Sequence, residues 1–279
     1  MSLADRVAAE VVRLRSDARI LTIDIERLPG RARMEHRGLT IEGDFWDLSG
    51  WKYIIGRRIH PDDVIEWPRT ICAAWKWHGT PRVHFAAEWL PGDTSWLHAA
   101  WDAYDEADIV VGHNLAGFDT KKLRGAWLEL GLPEPRPFKT IDTLKVAREF
   151  GFESNTLDAL CKRLGIPAKT DKYSVEVARA ACAGTLAAQR KITRYNKGDI
   201  VATEGLYDYF RGHMPSHPHI APASDELACN QCGSTDLKLS AKPHRAQALA
   251  YPLYRCGDCG ANVVANRHDR RIANTRGVR

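Results

Sequence analysis

The spacing of apolar residues changes along this chain, and each spacing marks a different kind of element. ILTIDIE at 20–26 is an apolar, strand-like run interrupted by Asp24 and Glu26, which stand at i and i+2 and therefore leave the same face of a strand. TICAAWKWHG and PRVHFAAEW flank the Gly79-Thr80-Pro81 turn, with Ile71, Ala73, Trp75 and Trp77 facing one way and Val83, Phe85 and Ala87 alternating likewise, so the stretch predicts a β-hairpin. Leu97, Trp101 and Tyr104 then recur at i, i+4 and i+7 ahead of ADIVVGHN, predicting a helix that leads into a buried strand. Residues 120–130 read as helix. TLDALCKRLGI at 156–166 places Leu157, Leu160 and Leu164 on one helical face with Gly165 as terminator, and 175–210 is helix-rich.

Two stretches lack such order. Residues 28–69 contain Pro29, Gly30, Gly43, Gly50, Gly56, Pro61 and Pro68 and read as a loop-rich insertion with short elements. MPSHPHIAPAS at 214–224 carries three prolines and little apolar periodicity, as expected of a linker with a limited bend range. The chain therefore divides into a large unit over 1–213, a linker over 214–227 and a small unit over 228–279. With 44% hydrophobic residues the large unit can bury a sizeable core. The first residues intersperse charge with Val, Leu and Ala, and no run of about 18 apolar residues occurs. The expectation is a soluble, cytoplasmic protein with no membrane span.

The net charge of +5 changes this picture because it is unevenly placed. Residues 229–279 hold nine Lys or Arg against three Asp, a balance of +6, so the other 228 residues carry −1. A basic end beside a slightly acidic body suits attraction to a polyanion, although a solvated tail would have the same composition.

The candidate chemistry lies in three acidic strings: ILTIDIE at 20–26, HNLAGFD at 113–119 and YNKGD at 195–199. If the fold gathers Asp24, Glu26, Asp119 and Asp199, repulsion forbids their full ionisation unless cations share the site, and hard oxygen ligands select magnesium or manganese. Together the strings resemble the motifs of the DEDD superfamily of 3′–5′ exonucleases. Tyr195 precedes Asp199 by four residues and Arg194 occupies the position of the alternative histidine, so the similarity is to the tyrosine branch.

The resemblance covers roughly residues 18–210. It implies an α/β, ribonuclease H-like fold, a mixed five-stranded sheet flanked by helices, and a catalytic set of Asp24, Glu26, Asp119, Tyr195 and Asp199. Two Mg2+ or Mn2+ ions would be held by the four acids, with Asp24 bridging them. Tyr195 would orient the attacking water, its ordinary pKa of about 10 making it a poor base at neutral pH. Asn114 would hold its loop or approach the substrate. Arg27 departs from the Thr or Ser found at that position in many members, so terminal-nucleotide handling by Arg27 would differ. His113 reads equally as a structural histidine, Phe118 as packing, and Asp142 as the cap of a following helix. Trp46, Trp51, Tyr53, Arg57, Arg58 and His60 either form a surface for single strands or cover a sheet edge.

Cys229, Cys232, Cys256 and Cys259 form two C-x2-C pairs, each followed by glycine, a spacing that points to one structural Zn2+ with four thiolates and no open position. A redox dithiol pair is the competing reading. The segment resembles a zinc ribbon, able to hold nucleic acid or dock a replication protein. Cys72, Cys161 and Cys182 read as buried thiols. The reading is thus a metal-dependent 3′–5′ exonuclease acting on nucleic acid, with single-stranded DNA ends as the leading substrate. An exoribonuclease and an inactive nucleic-acid-binding scaffold are the alternatives, and the layout is also similar to stand-alone exonucleases encoded by viruses of bacteria.

Overall fold

The structure, a computed structural model, describes residues 18–36, 38–48, 59–90, 92–167, 173–214, 216–221, 226–246, 249–265 and 270–271. Its centre is β1 (Ile20–Leu28), which pairs antiparallel with β5 (Arg69–Trp77) and parallel with β7 (Ile109–Gly112). β6 (Val83–Ala87) joins the outer edge of β5 antiparallel, completing the expected hairpin, and β8 (Lys139–Asp142) lies parallel to β7. The strand order is β6-β5-β1-β7-β8, a mixed five-stranded sheet.

Period-two alternation along β1 decides what each face holds. Leu21, Ile23 and Ile25 enter a core with Trp75 and Val110, covered by α1 (Ser95–Glu106) and α2 (Asp119–Glu129) through Leu97, Tyr104, Leu123 and Trp127. The opposite face packs against α3 (Thr143–Arg148), α4 (Leu157–Leu164), α5 (Val175–Cys182) and the long α6 (Leu186–Arg211). α4 ends at Gly165, whose φ of 70° is the left-handed conformation that a Cβ would strain. Leu160 and Cys161 of α4 are buried, as is Cys72 on β5, while Cys182 is half-buried.

The structure adds detail to two segments. The segment after β1 is more than loops: β2 (Arg31–His36), β3 (Leu39–Asp44) and β4 (Val64–Glu66) form a separate three-stranded sheet in the order β3-β2-β4. Ala32 and Met34 alternate inward along β2 and pack with Leu48, whereas Arg31, Arg33 and Glu35 point out. Nor is 214–220 a bare linker. Met214 is buried in the main core, and His217 accepts a hydrogen bond from the Tyr207 hydroxyl through Nε2 at 2.9 Å. Its Nδ1 donates to the Pro218 carbonyl at 2.6 Å, which fixes the tautomer that leaves Nε2 as the acceptor.

The carboxyl-terminal unit contains β9 (Leu237–Leu239), β10 (His244–Ala246), β11 (Leu249–Tyr251), β12 (Leu253–Cys256), β13 (Asn262–Val264) and β14 (Arg270–Arg271), arranged as sheets β13-β12-β9 and β10-β11-β14. It sits on the end of α6: Gln231 donates to the Met214 carbonyl at 2.8 Å, and a Cβ at Gly212 would lie 1.8 Å from the Cys259 carbonyl oxygen.

Candidate active site

Asp24 and Glu26 leave the α6 face of β1, and a 26-residue helix crosses that face. Ile192 and Ile200 bury the helix against the sheet, so the residues one turn away on the same side, Tyr195, Asn196 and Asp199, must meet β1. Asp24, Glu26 and Asp199 each present a carboxylate oxygen within 4.8 Å of the others. Three carboxylates so close, two of them buried, need compensating positive charge, and an all-oxygen donor set fits a hard divalent cation.

Asp119 arrives from the other side of the strand. It is the first residue of α2, and its Oδ1 accepts the Ile25 amide at 3.2 Å, between the two acids of β1. Burial, and secondarily the charge of Asp142, raises its pKa to about 7, although the Ile25 and Asp119 amides oppose the shift. Asp119 stands outside the three-carboxylate cluster proper.

Asp142 does more than the expected capping. It caps α3 through the Leu144 amide at 3.1 Å and also accepts the Asn114 amide at 2.9 Å and the Ala116 amide at 3.3 Å. Those bonds fix the loop that launches Asp119. Asn114 turns that loop with φ 67°, the single positive φ of a non-glycine among the described residues, and its Oδ1 lies where a Cβ on Gly117 would intrude, at 2.5 Å. Asn114 thus shapes the loop. His113 is structural, bonded to Thr143 Oγ1 at 3.0 Å and the Asn155 carbonyl at 2.9 Å. Phe118, expected to pack, is instead 37% exposed.

On α6 the Tyr195 hydroxyl is hydrogen-bonded to Asp199. Burial and then the charges of Asp199, Glu26 and Asp24 push its pKa above the ordinary tyrosine value, so it remains a neutral donor. Arg27 follows a bulge between Glu26 and Arg27 and donates to the Pro68 carbonyl at 2.9 Å. Its charge, after burial, lowers the pKa of Lys122 on α2.

Sequence reasoning missed Asn196. It is fully buried, and its Nδ2 donates to Asp24 Oδ2 at 2.6 Å. Its Oδ1 faces the Cys72 thiol at 3.9 Å. Burial, with Glu26 and Asp24 nearby, raises that thiol's pKa well above its usual range, so Cys72 is a protonated neighbour of the site. The available signal was Asn196's position beside Tyr195 on a helix whose buried face is readable. Trp51, Tyr53, Arg57 and Arg58 lie outside the described residues. Trp46 and His60 are described, the latter capping a short 3-10 turn at Pro61–Asp63.

The four carboxyl-terminal cysteines form a second cluster. Cys229 and Cys259 sulfurs are 3.6 Å apart, as are those of Cys232 and Cys256. Thiolates about 2.3 Å from a tetrahedral zinc stand about 3.8 Å from one another, so the cluster fits that ion. Gly233 and Gly260 take φ of 79° and 74°, closing each knuckle with amide bonds to the Cys229 and Cys256 carbonyls at 2.8 and 3.1 Å. Burial raises the Cys256 pKa, but the Cys259 and Asp258 amides and the neighbouring thiols bring it to about 7, while burial raises Cys232 and holds Cys259 at about 11.

Residues 78–211 match the family model RNase_H_2, of the RNase_H superfamily. The fold is ribonuclease H-like. A family B DNA polymerase from the hyperthermophilic archaeon Pyrobaculum calidifontis is similar at 18% identity and a TM-score of 0.47, over 70% of this chain and 25% of that one. The chain thus spans about a quarter of that polymerase's length. No curated protein matches. Among the described residues no helix is long and apolar enough to cross a membrane.

Proposed function

We propose that this ribonuclease H-like chain is a divalent-metal-dependent nuclease that removes nucleotides from the 3′ end of single-stranded DNA. The observation that carries the reading is the convergence of Asp24, Glu26 and Asp199 within 4.8 Å, with Asp119 bonded to the same strand between the first two. The order and context of the three motifs favour the 3′ polarity. Bound magnesium or manganese ions would supply Lewis acidity at the scissile phosphate and a water of lowered pKa. Asp24, Glu26 and Asp199 are suited to hold them, with Asp119 in support.

The rest is positioning by the chain. Asn196 aims Asp24, and the half-buried Tyr195 hydroxyl, bonded to Asp199, would orient a water there. Its raised pKa argues against Tyr195 as the base. Arg27, directly after Glu26, would offer positive charge to a phosphodiester, with Lys122 on α2 adding to it. The ribbon has four thiolate donors and no water position, which suits a structural zinc. Its basic surroundings, including Lys238, Lys242 and Arg255, suit a nucleic-acid partner.

The test is digestion of a 5′-labelled single-stranded DNA oligonucleotide and its RNA counterpart with magnesium or manganese. The reading requires a ladder shortening from the 3′ end of DNA that is absent in Asp199→Ala. Faster shortening of RNA would turn the substrate assignment to an exoribonuclease, and binding without cleavage in any metal would leave a scaffold. Tyr195→Phe should keep metal affinity but lose about 10²-fold in kcat if its hydroxyl positions the nucleophile.

A further inference from the structure

The insertion sheet presents an aromatic residue outside its small core. After β3 a helical turn over 45–48 directs Leu48 into the small core with Ala32 and Met34, and Phe45 packs there and edge-on to Trp67 at 6.4 Å. Trp46, between them, turns the other way and stays 51% exposed, although fully burying a side chain of that size is worth several kcal/mol. Its ring lies 5.9 Å from that of Tyr173, which lies 6.0 Å from that of Tyr195. The rings form a file that starts beside Asp199 and ends at the surface.

The file is held from both ends. The Tyr173 hydroxyl donates to the Arg27 carbonyl at 2.5 Å, directly after Glu26. Arg179 of α5 bridges to Asp44, to Glu66 at 3.1 Å and to the Pro29 carbonyl at 3.3 Å, so β3, which runs into Trp46, and β4 are both tied to α5. Phe45 N donates to the Gly30 carbonyl at 2.8 Å. Gly30 is close enough to β4 that a Cβ would meet the Glu66 oxygen at 2.3 Å. A half-exposed indole between anchored neighbours, leading to a carboxylate cluster, suits stacking of an unpaired base.

We propose that Trp46, backed by Tyr173, is a stacking platform for a nucleobase near the 3′ end of the strand in the active site, and that it selects single strands. The proposal rests on the nuclease reading above. A base in a duplex already has both faces covered by its neighbours, so the platform engages only an unpaired one. Trp46 is a positioning residue: it fixes the strand rather than touching the reacting phosphate.

The experiment uses the Asp24→Ala protein, silent in cleavage, and single-stranded DNA with 2-aminopurine at successive positions near the 3′ end. Binding is followed by anisotropy and stacking by quenching of the 2-aminopurine. Quenching at one position, lost in Asp24→Ala/Trp46→Ala with about tenfold weaker binding and largely kept in Asp24→Ala/Trp46→Phe, is expected. An abasic nucleotide at that position should remove the difference between the Trp46 variants. Equal affinity and quenching with Trp46→Ala overturns the platform and leaves the nuclease reading standing. Failure of the Asp24→Ala parent to bind any strand, or equal binding of blunt duplex, overturns the platform's premise as well.

Discussion

Asn196 sets the direction of the Asp24 carboxylate. A carboxylate on a strand has torsional freedom, and the 2.6 Å bond from a fully buried amide removes much of it. Such outer partners are commonly worth 10- to 100-fold in metal affinity or activity. Asn196→Ala should therefore lower Mn2+ affinity and kcat by about that factor while leaving a folded protein, as calorimetry and initial rates would show. An unchanged Mn2+ affinity would mean that Asp24 is held by other means. The acids themselves were legible because chemistry fixes their residue type and the strand and helix periods fix their direction. Asn196 was not, because its partners stand 172 and 124 residues away and an asparagine beside a tyrosine has no diagnostic pattern.

At the level of elements, α6 links both halves of the molecule. Asp199 and the Gly212 contact with the ribbon are separated by about 20 Å of one helix. Gly212→Val would drive side-chain atoms into the Cys259 carbonyl, which a Cβ alone would meet at 1.8 Å. We expect a lower melting temperature and faster proteolysis of the carboxyl-terminal unit, and equal stability would show the contact to be dispensable. The hairpin, α4 and its Gly165 end were readable from spacing and one left-handed glycine. The insertion sheet was not read, although Ala32 and Met34 do alternate with Arg31, Arg33 and Glu35. Its strands are short and glycine- and proline-flanked, and its core is small, so the period-two signal covers too few residues to stand out. Equally, prolines in 214–220 suggested a spacer, whereas Met214 and His217 lie against α6 through contacts that only tertiary structure creates.

For the whole molecule, stability should depend on pH and zinc. Burial first, and the charge of Arg211, lower the His217 pKa, opposed by the Pro218 carbonyl. Protonation therefore favours the unfolded chain. The contribution is intact above the unfolded value of about 6.5 and is lost as pH falls through the lower folded value. Urea midpoints of the wild type should drop more than those of His217→Gln between about pH 7.5 and pH 5.5, and parallel curves would remove His217 from the account. Chelation of zinc should melt the carboxyl-terminal unit first, since its core is little more than the four cysteines, Ala261 and Val263.

The proposed nuclease depends on Asp24, Glu26 and Asp199 holding a divalent cation, with Asp119 in support. It is tested most directly by Mn2+ titration of the zinc-loaded protein, followed by calorimetry and by the rise in melting temperature, alongside Asp24→Ala and Asp199→Ala. The account predicts saturable Mn2+ binding that stabilises the wild type and is lost or weakened at least 10-fold in both variants. Equal Mn2+ binding by the three proteins would contradict it.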